Sequence, residues 1–183
     1  MKFKSSITPE TVSHDKAGAI RSTSMSKIKS KGTKPEMAIR KILHHRGYRY
    51  RANYNKLPGR PDIVLPKYRA LILVNGCYWH AHSCNLFKIP KTNRTFWLKK
   101  FTENVARDEE NIVDLISLGW RVAVIWECAL RENSAYPNAE KVVRSIENWL
   151  QSEERELEIT EKTLSNTISL SDSKMNSPRG GIN

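Results

Sequence analysis

Ala70-Leu71-Ile72-Leu73-Val74-Asn75-Gly76-Cys77-Tyr78-Trp79-His80-Ala81-His82-Ser83-Cys84 is the stretch on which the reading of this chain turns. Its first five residues, Ala70 to Val74, have the length and apolar character of a buried strand. The nine that close it, Gly76 to Cys84, hold two Cys, two His and two aromatics. Thiolate and imidazole are the ligands zinc prefers, and short loops with this spacing cage the metal. A strand therefore ends in a loop dense with groups that do chemistry.

Upstream, Asp62 to Leu65 forms a second short apolar strand, joined to the first by the polar turn Pro66-Lys67-Tyr68-Arg69. Leu57-Pro58-Gly59-Arg60-Pro61 is a turn, and Tyr48 to Tyr54 alternates as a half-buried strand does. Thr33-Lys34-Pro35-Glu36 is a helix start. Thr33 caps, Pro35 suits the first turn and Glu36 takes the third position of a capping box. Met37, Ala38, Ile42 and Leu43 carry that helix to about His45, and Gly47 stops it.

Downstream, Leu98, Phe101, Val105, Ile112, Leu115 and Ile116 give an amphipathic helix over Thr95 to Leu118, with Gly119 as its stop. Trp120 to Trp126 reads as a central buried strand that delivers Glu127 and Cys128 to the end of the sheet. Ala139 to Leu150 is a closing helix. Residues 1–20 read as a flexible leader, 21–32 as a basic arm ordered on a partner, and 151–183 as a polar, disordered tail.

The 183 residues suit one domain with a real core. No apolar stretch approaches the ~20 residues of a membrane span. No apolar run follows the first lysines, so a signal peptide is not expected and a reducing cytoplasm is. Three cysteines do not pair evenly into disulfides, but Cys77, Cys84 and Cys128 plus one histidine complete a four-ligand zinc site. Net charge is +12, and residues 1–60 alone carry 15 Lys/Arg against 3 Asp/Glu. A basic segment of this kind points to nucleic acid, where phosphate contact releases counterions.

Asp62, opening a strand beside the end of Val74, is placed to hold Mg²⁺ with a backbone carbonyl and waters; a turn-capping aspartate is the plainer reading. Of His80 and His82, one completes the zinc set. The other is free to act as a general base, and spacing leaves the choice open. Tyr78 and Trp79 sit on a loop between polar groups, where flat apolar side chains can wedge between bases.

Leu57-Pro58-Gly59-Arg60-Pro61-Asp62, Asn75 through Cys84, Gly119-Trp120-Arg121-Val122 and Trp126-Glu127-Cys128-Ala129-Leu130 resemble the Vsr family of very-short-patch mismatch-repair endonucleases. Arg21-Ser22, Met25, Ile28, Thr33, Pro35 and Glu36 extend the likeness, which covers roughly residues 14–150. The resemblance implies an α/β fold like that of type II restriction endonucleases, a central mixed sheet flanked by helices, with the endonuclease domain over 21–150.

It further implies a nuclease that nicks one strand 5′ of the thymine in T:G mismatches left when 5-methylcytosine deaminates. On this likeness Asp62 and the carbonyl of Val74 hold Mg²⁺, and His80 is the base or water-positioner. Glu36 and Asp108 support them, Cys77, His82, Cys84 and Cys128 hold structural Zn²⁺, and Met25, Tyr78, Trp79 and Trp97 form the wedge into the duplex. The expected setting is a monomer in the bacterial cytoplasm, associated with the nucleoid, acting on double-stranded DNA and working with other mismatch-repair proteins.

Val74 and Asn75 stand where the family commonly has Thr and His, so any proton transfer assigned to position 75 is absent here. Two other classes compete: a nuclease of the same fold with another mismatch or a restriction-type target, and a weakly catalytic zinc-containing DNA-binding module.

Overall fold

The structure, a computed structural model, describes residues 31–133 and 135–165. The leader, most of the basic arm, Met25 and the end of the tail lie outside the described residues.

Helix α1 spans Lys34–His45. The Glu36 carboxylate accepts from the backbone N–H of Gly32 and Thr33 and from the Thr33 hydroxyl, at 2.9, 3.2 and 2.7 Å. These bonds satisfy N–H groups that have no partner inside the helix. Strand β1 is only Arg51–Ala52. Tyr48 and Tyr50 do pack on the core as the alternation predicts, but Asn53 turns into the left-handed region at φ 48 and the regular strand stops before it. Strands β2, Ile63–Leu65, and β3, Ala70–Asn75, form an antiparallel hairpin, with Ile63 opposite Ile72 and Leu65 opposite Ala70. Arg69 closes that hairpin at φ 47, and its guanidinium donates to the carbonyls of Leu118 and Gly119 at 2.9 and 2.8 Å.

Helix α2, Arg94–Ser117, crosses over to β4, Arg121–Trp126, which runs parallel to β3. A helical turn α3, Glu127–Leu130, follows at once, and α4, Ala139–Gln151, then leads to β5, Glu156–Ile159, parallel to β4. The sheet order is β1-β2-β3-β4-β5, antiparallel at one edge and parallel at the other. The mixed sheet flanked by helices is thus the architecture expected.

Strand β5 corrects one boundary. The polar composition after residue 150 predicts a disordered tail, yet Glu156-Leu157-Glu158-Ile159 pairs with Val122–Ile125 and a helical turn covers 161–165. Ile159 and Leu164 are buried. Two apolar side chains alternating with glutamates suffice for an edge strand with one face on the core.

Alternation along the central strands divides the core in two. Ile63, Leu65, Ile72, Val74, Ala123 and Ile125 face α1 and α4, packing on Ile39, Leu43, Val142, Val143 and Ile146. Val64, Leu71, Val122 and Val124 face Ile112 and Leu115 of α2, together with Cys77 and Cys128. Both layers leave the C-terminal ends of β3 and β4 open, the usual place for a site in such a sheet. Among the described residues no helix is long and apolar enough to cross a membrane.

Candidate active site and metal cluster

The hairpin register sets Asp62 one residue before the Ile63–Ile72 pair, beside the end of β3. There its Oδ2 accepts the Val74 N–H at 2.8 Å. Two residues that the sequence could only call neighbours are therefore in contact. Burial raises the Asp62 carboxyl to about 6; the Val74 N–H, Arg40 and His80 pull it down, and Glu36 pushes it further up.

Arg40 was not singled out from the sequence. It is 5% exposed, pairs with Glu36 at 3.0 Å and donates to the Asp62 carbonyl at 2.8 Å and to Asn53 Oδ1 at 3.1 Å. Its position four residues after Glu36 on a helix was the available signal.

A cleft of about 650 Å³ opens at this sheet end. Asp62, Val74, Glu36, His80 and Asp108 line it, with Glu127 from just after β4. His80 Nδ1 is bonded to Asp108 Oδ2 across 28 positions of sequence. With Nδ1 engaged, Nε2 is the ring nitrogen left to exchange a proton. Carboxylates and backbone carbonyls in one cleft are the oxygen donors a hard divalent cation takes. Asp62 and Val74 would hold such an ion.

Cys77, His82, Cys84 and Cys128 bring one ligand atom each to within 4.8 Å of one another. The Cys128 N–H donates to Cys77 Sγ at 3.3 Å, and Cys128 Sγ lies 3.6 Å from His82 Nδ1. The Cys77 thiol's hydrogen bond holds Cys128 well below the ordinary thiol range, His82 adds to this, and the same bond pushes Cys77 up. Three sulfurs and one imidazole nitrogen gathered this closely, one sulfur favoured as thiolate, fit Zn²⁺. The choice between the histidines left open by spacing is made by geometry: His82 joins the cysteines and His80 faces the cleft. His82 also stacks on Trp126, centroids 4.2 Å apart, and Trp126 Nε1–H donates to Glu158 Oε1 of β5 at 2.7 Å.

Tyr78, Trp79 and Trp97 meet in one group of rings with centroid separations of 5.0 to 6.2 Å. Phe101 seals its base at 0% exposure. Asn104, missed in the sequence, anchors this loop by donating to the Trp79 carbonyl at 2.9 Å. It lies one helical turn from Phe101, so the helix periodicity placed it on the inner face. Met25 lies outside the described residues.

The family model for the DNA mismatch endonuclease Vsr matches residues 13–86. A type II nicking enzyme, V.NmeAIP, from Neisseria meningitidis serogroup A is 45% identical over 70% of this chain and 92% of its own length. The DNA mismatch endonuclease Vsr of Escherichia coli is 42% identical over 75% of this chain and 86% of its own. A third relative, the type II nicking enzyme V.XorIIP of Xanthomonas oryzae, is 44% identical over 61% and 82%. With likeness of this extent, joined to a mixed sheet that gathers both the Asp62 cleft and the Cys/His cluster at one end, the chain belongs to the Vsr family of DNA mismatch endonucleases.

Proposed function

We propose that this chain is a Mg²⁺-dependent endonuclease that nicks one strand of duplex DNA at T:G mismatches, 5′ of the thymine left by deamination of 5-methylcytosine. The observation that carries the reading is the continuity of one loop. Residues 76–84 run from the end of β3 at Asp62, through the Tyr78–Trp79 rings and His80, into the Cys/His cluster. Chemistry, wedge and staple are therefore fixed relative to one another.

Asp62, with the Val74 carbonyl, would hold the Mg²⁺, which when bound neutralises charge on the scissile phosphate and the leaving oxygen. His80 takes a proton from the attacking water at Nε2, while Asp108 holds the ring's orientation and stabilises the imidazolium. Asn75, at the end of β3 on the same cleft, neither gives nor takes protons, which leaves His80 as the base. Glu36 keeps α1 capped and, through Arg40, keeps the backbone at Asp62 in place.

Cys77, His82, Cys84 and Cys128 would hold Zn²⁺ and so fix the loop. Tyr78, Trp79 and Trp97 offer flat apolar surface that replaces stacking lost at an opened base step, the role the resemblance also gives to Met25. The same reading has the chain act as a monomer on double-stranded DNA in the cytoplasm, beside other mismatch-repair proteins.

End-labelled duplexes with and without a T:G pair, incubated with Mg²⁺ present or omitted, test this. Omission is preferred to EDTA, which also competes for the cysteine cluster. One nick 5′ of the mismatched T, only with Mg²⁺, is expected. Equal cleavage of matched duplexes would replace the mismatch target by another, and binding without cleavage would leave a DNA-binding module.

A further inference from the structure

The turn before Asp62 holds an arginine that the proposed reaction does not use. Arg60 has φ 50, directly after Gly59 at φ 65. The left-handed region is unfavourable for a residue with a Cβ, and a residue before proline is steered toward extended backbone instead. Glycine would occupy position 60 with less strain. The turn is nonetheless locked. Arg60 N–H donates to the Leu57 carbonyl at 3.2 Å, and Tyr54 and Asn53 N–H donate to the carbonyls of Pro61 and Asp62, both at 3.1 Å. A Cβ on Gly59 would come within 3.1 Å of Asn111 on α2, so the turn is seated against that helix.

What the strained backbone gains is the placement of a cation. Arg60 is exposed and lines the cleft that holds Asp62, Glu36, His80, Asp108 and Glu127. Arg107, the other arginine lining this cleft, is engaged with Asn104, and the cleft's Glu36 and Glu127 are paired with Arg40 and Arg131. Among the described residues Arg60 has neither an ion pair nor a side-chain hydrogen bond, although carboxylates line the same cleft. Guanidinium suits phosphate because its planar fork donates two parallel N–H groups to paired oxygens.

We propose that Arg60 is a substrate-binding residue whose guanidinium grips a backbone phosphate of the strand being cut, beside the one that reaches Asp62. This rests on the nicking reading above. The Gly59–Arg60–Pro61 turn, seated on Asn111, places Arg60 on the lining of the cleft before DNA arrives. A cation carried on a fixed turn loses less backbone freedom on binding than one on a mobile segment would.

Two variants test it, Arg60→Gly and Arg60→Lys. Arg60→Gly removes the cation and relieves the backbone, so its melting temperature is expected to equal or exceed that of the parent protein. Its nicking rate at limiting duplex is expected to fall about tenfold or more, the usual loss for a charge-assisted hydrogen bond. The slope of log affinity against log salt, read on a matched duplex without added Mg²⁺, is expected to drop by about one contact. Arg60→Lys should restore the salt slope and part of the rate.

Unchanged nicking and an unchanged slope in Arg60→Gly would overturn the proposal. So would a loss of nicking accompanied by a lower melting temperature and an unchanged slope, which marks a role in the turn alone. If the parent protein nicks matched and T:G duplexes equally while Arg60→Gly still loses rate and slope, the mismatch reading fails and the Arg60 contact stands.

Discussion

At the residue scale, Asp62 couples stability and chemistry in opposite senses. Its carboxyl is raised from 3.8 to about 6, chiefly by burial. In the metal-free protein the native state therefore keeps a proton that the unfolded chain has already released. Stability falls as pH rises through that window and stays lower above it. Asp62→Asn removes the buried charge and can keep the bond from Val74 N–H. It is expected to raise the melting temperature at pH 8, with a gain on the order of 1–2 kcal/mol, below the ~3 kcal/mol ceiling set by the displacement. Nicking should vanish while duplex binding persists; undiminished nicking by this variant would remove Asp62 from the metal site. Because a carboxylate must be ionised to ligate, Mg²⁺ affinity of the parent protein should weaken below about pH 6 in a titration. Asp108→Asn leaves the His80 ring in place but without its anionic partner. A fall in kcat of about 10²-fold with unchanged duplex affinity is expected in single-turnover assays.

At the element scale, the sheet end owes its geometry to three separate connections. The β2–β3 hairpin brings Asp62 to Val74. The α2 crossover returns Asn104 to the Trp79 carbonyl and Asp108 to His80. The β3–β4 pairing sets Asn75 opposite Trp126, so Cys77 and Cys128 emerge side by side. The cluster is thus a clasp between the loop after β3 and the first turn after β4. Cys128→Ser is expected to cost both bound zinc and stability, since ligand binding by a structural site is folding free energy. Metal analysis and thermal melts report it together; full zinc content with an unchanged melt would exclude Cys128 from the cluster.

At the scale of the whole molecule, β5 is part of the fold that carries the cluster. It covers the open edge of β4, buries Ile159 and places Glu158 on the indole N–H of Trp126, whose ring backs His82. Truncation after Gln151 is expected to lower the melting temperature and weaken zinc retention while leaving the α1–β2–β3 part of the cleft in place; a truncated chain that melts and holds zinc like the full one would show β5 to be dispensable. Local signals were fully legible in the sequence. Cap residues placed α1, apolar periodicity and Gly119 placed α2, apolar runs placed β2 to β4, and ligand chemistry marked Cys77, Cys84 and Cys128 with one of two histidines. Each depends on residues a few positions apart, where helix and strand geometry alone fixes which side chains share a face. The edge strand β5 escaped because four residues rich in glutamate carry too little apolar content to signal burial without the neighbouring strand. Which histidine faces the cleft, the bond from Val74 to Asp62, the His80–Asp108 pair and the cation of Arg40 beneath Glu36 and Asp62 were decided only by the tertiary structure. The first three join segments brought together by hairpin register and by a 24-residue crossover helix, and Arg40 becomes a buried cation only once the sheet closes over α1. No spacing along the chain encodes those contacts until the sheet has formed.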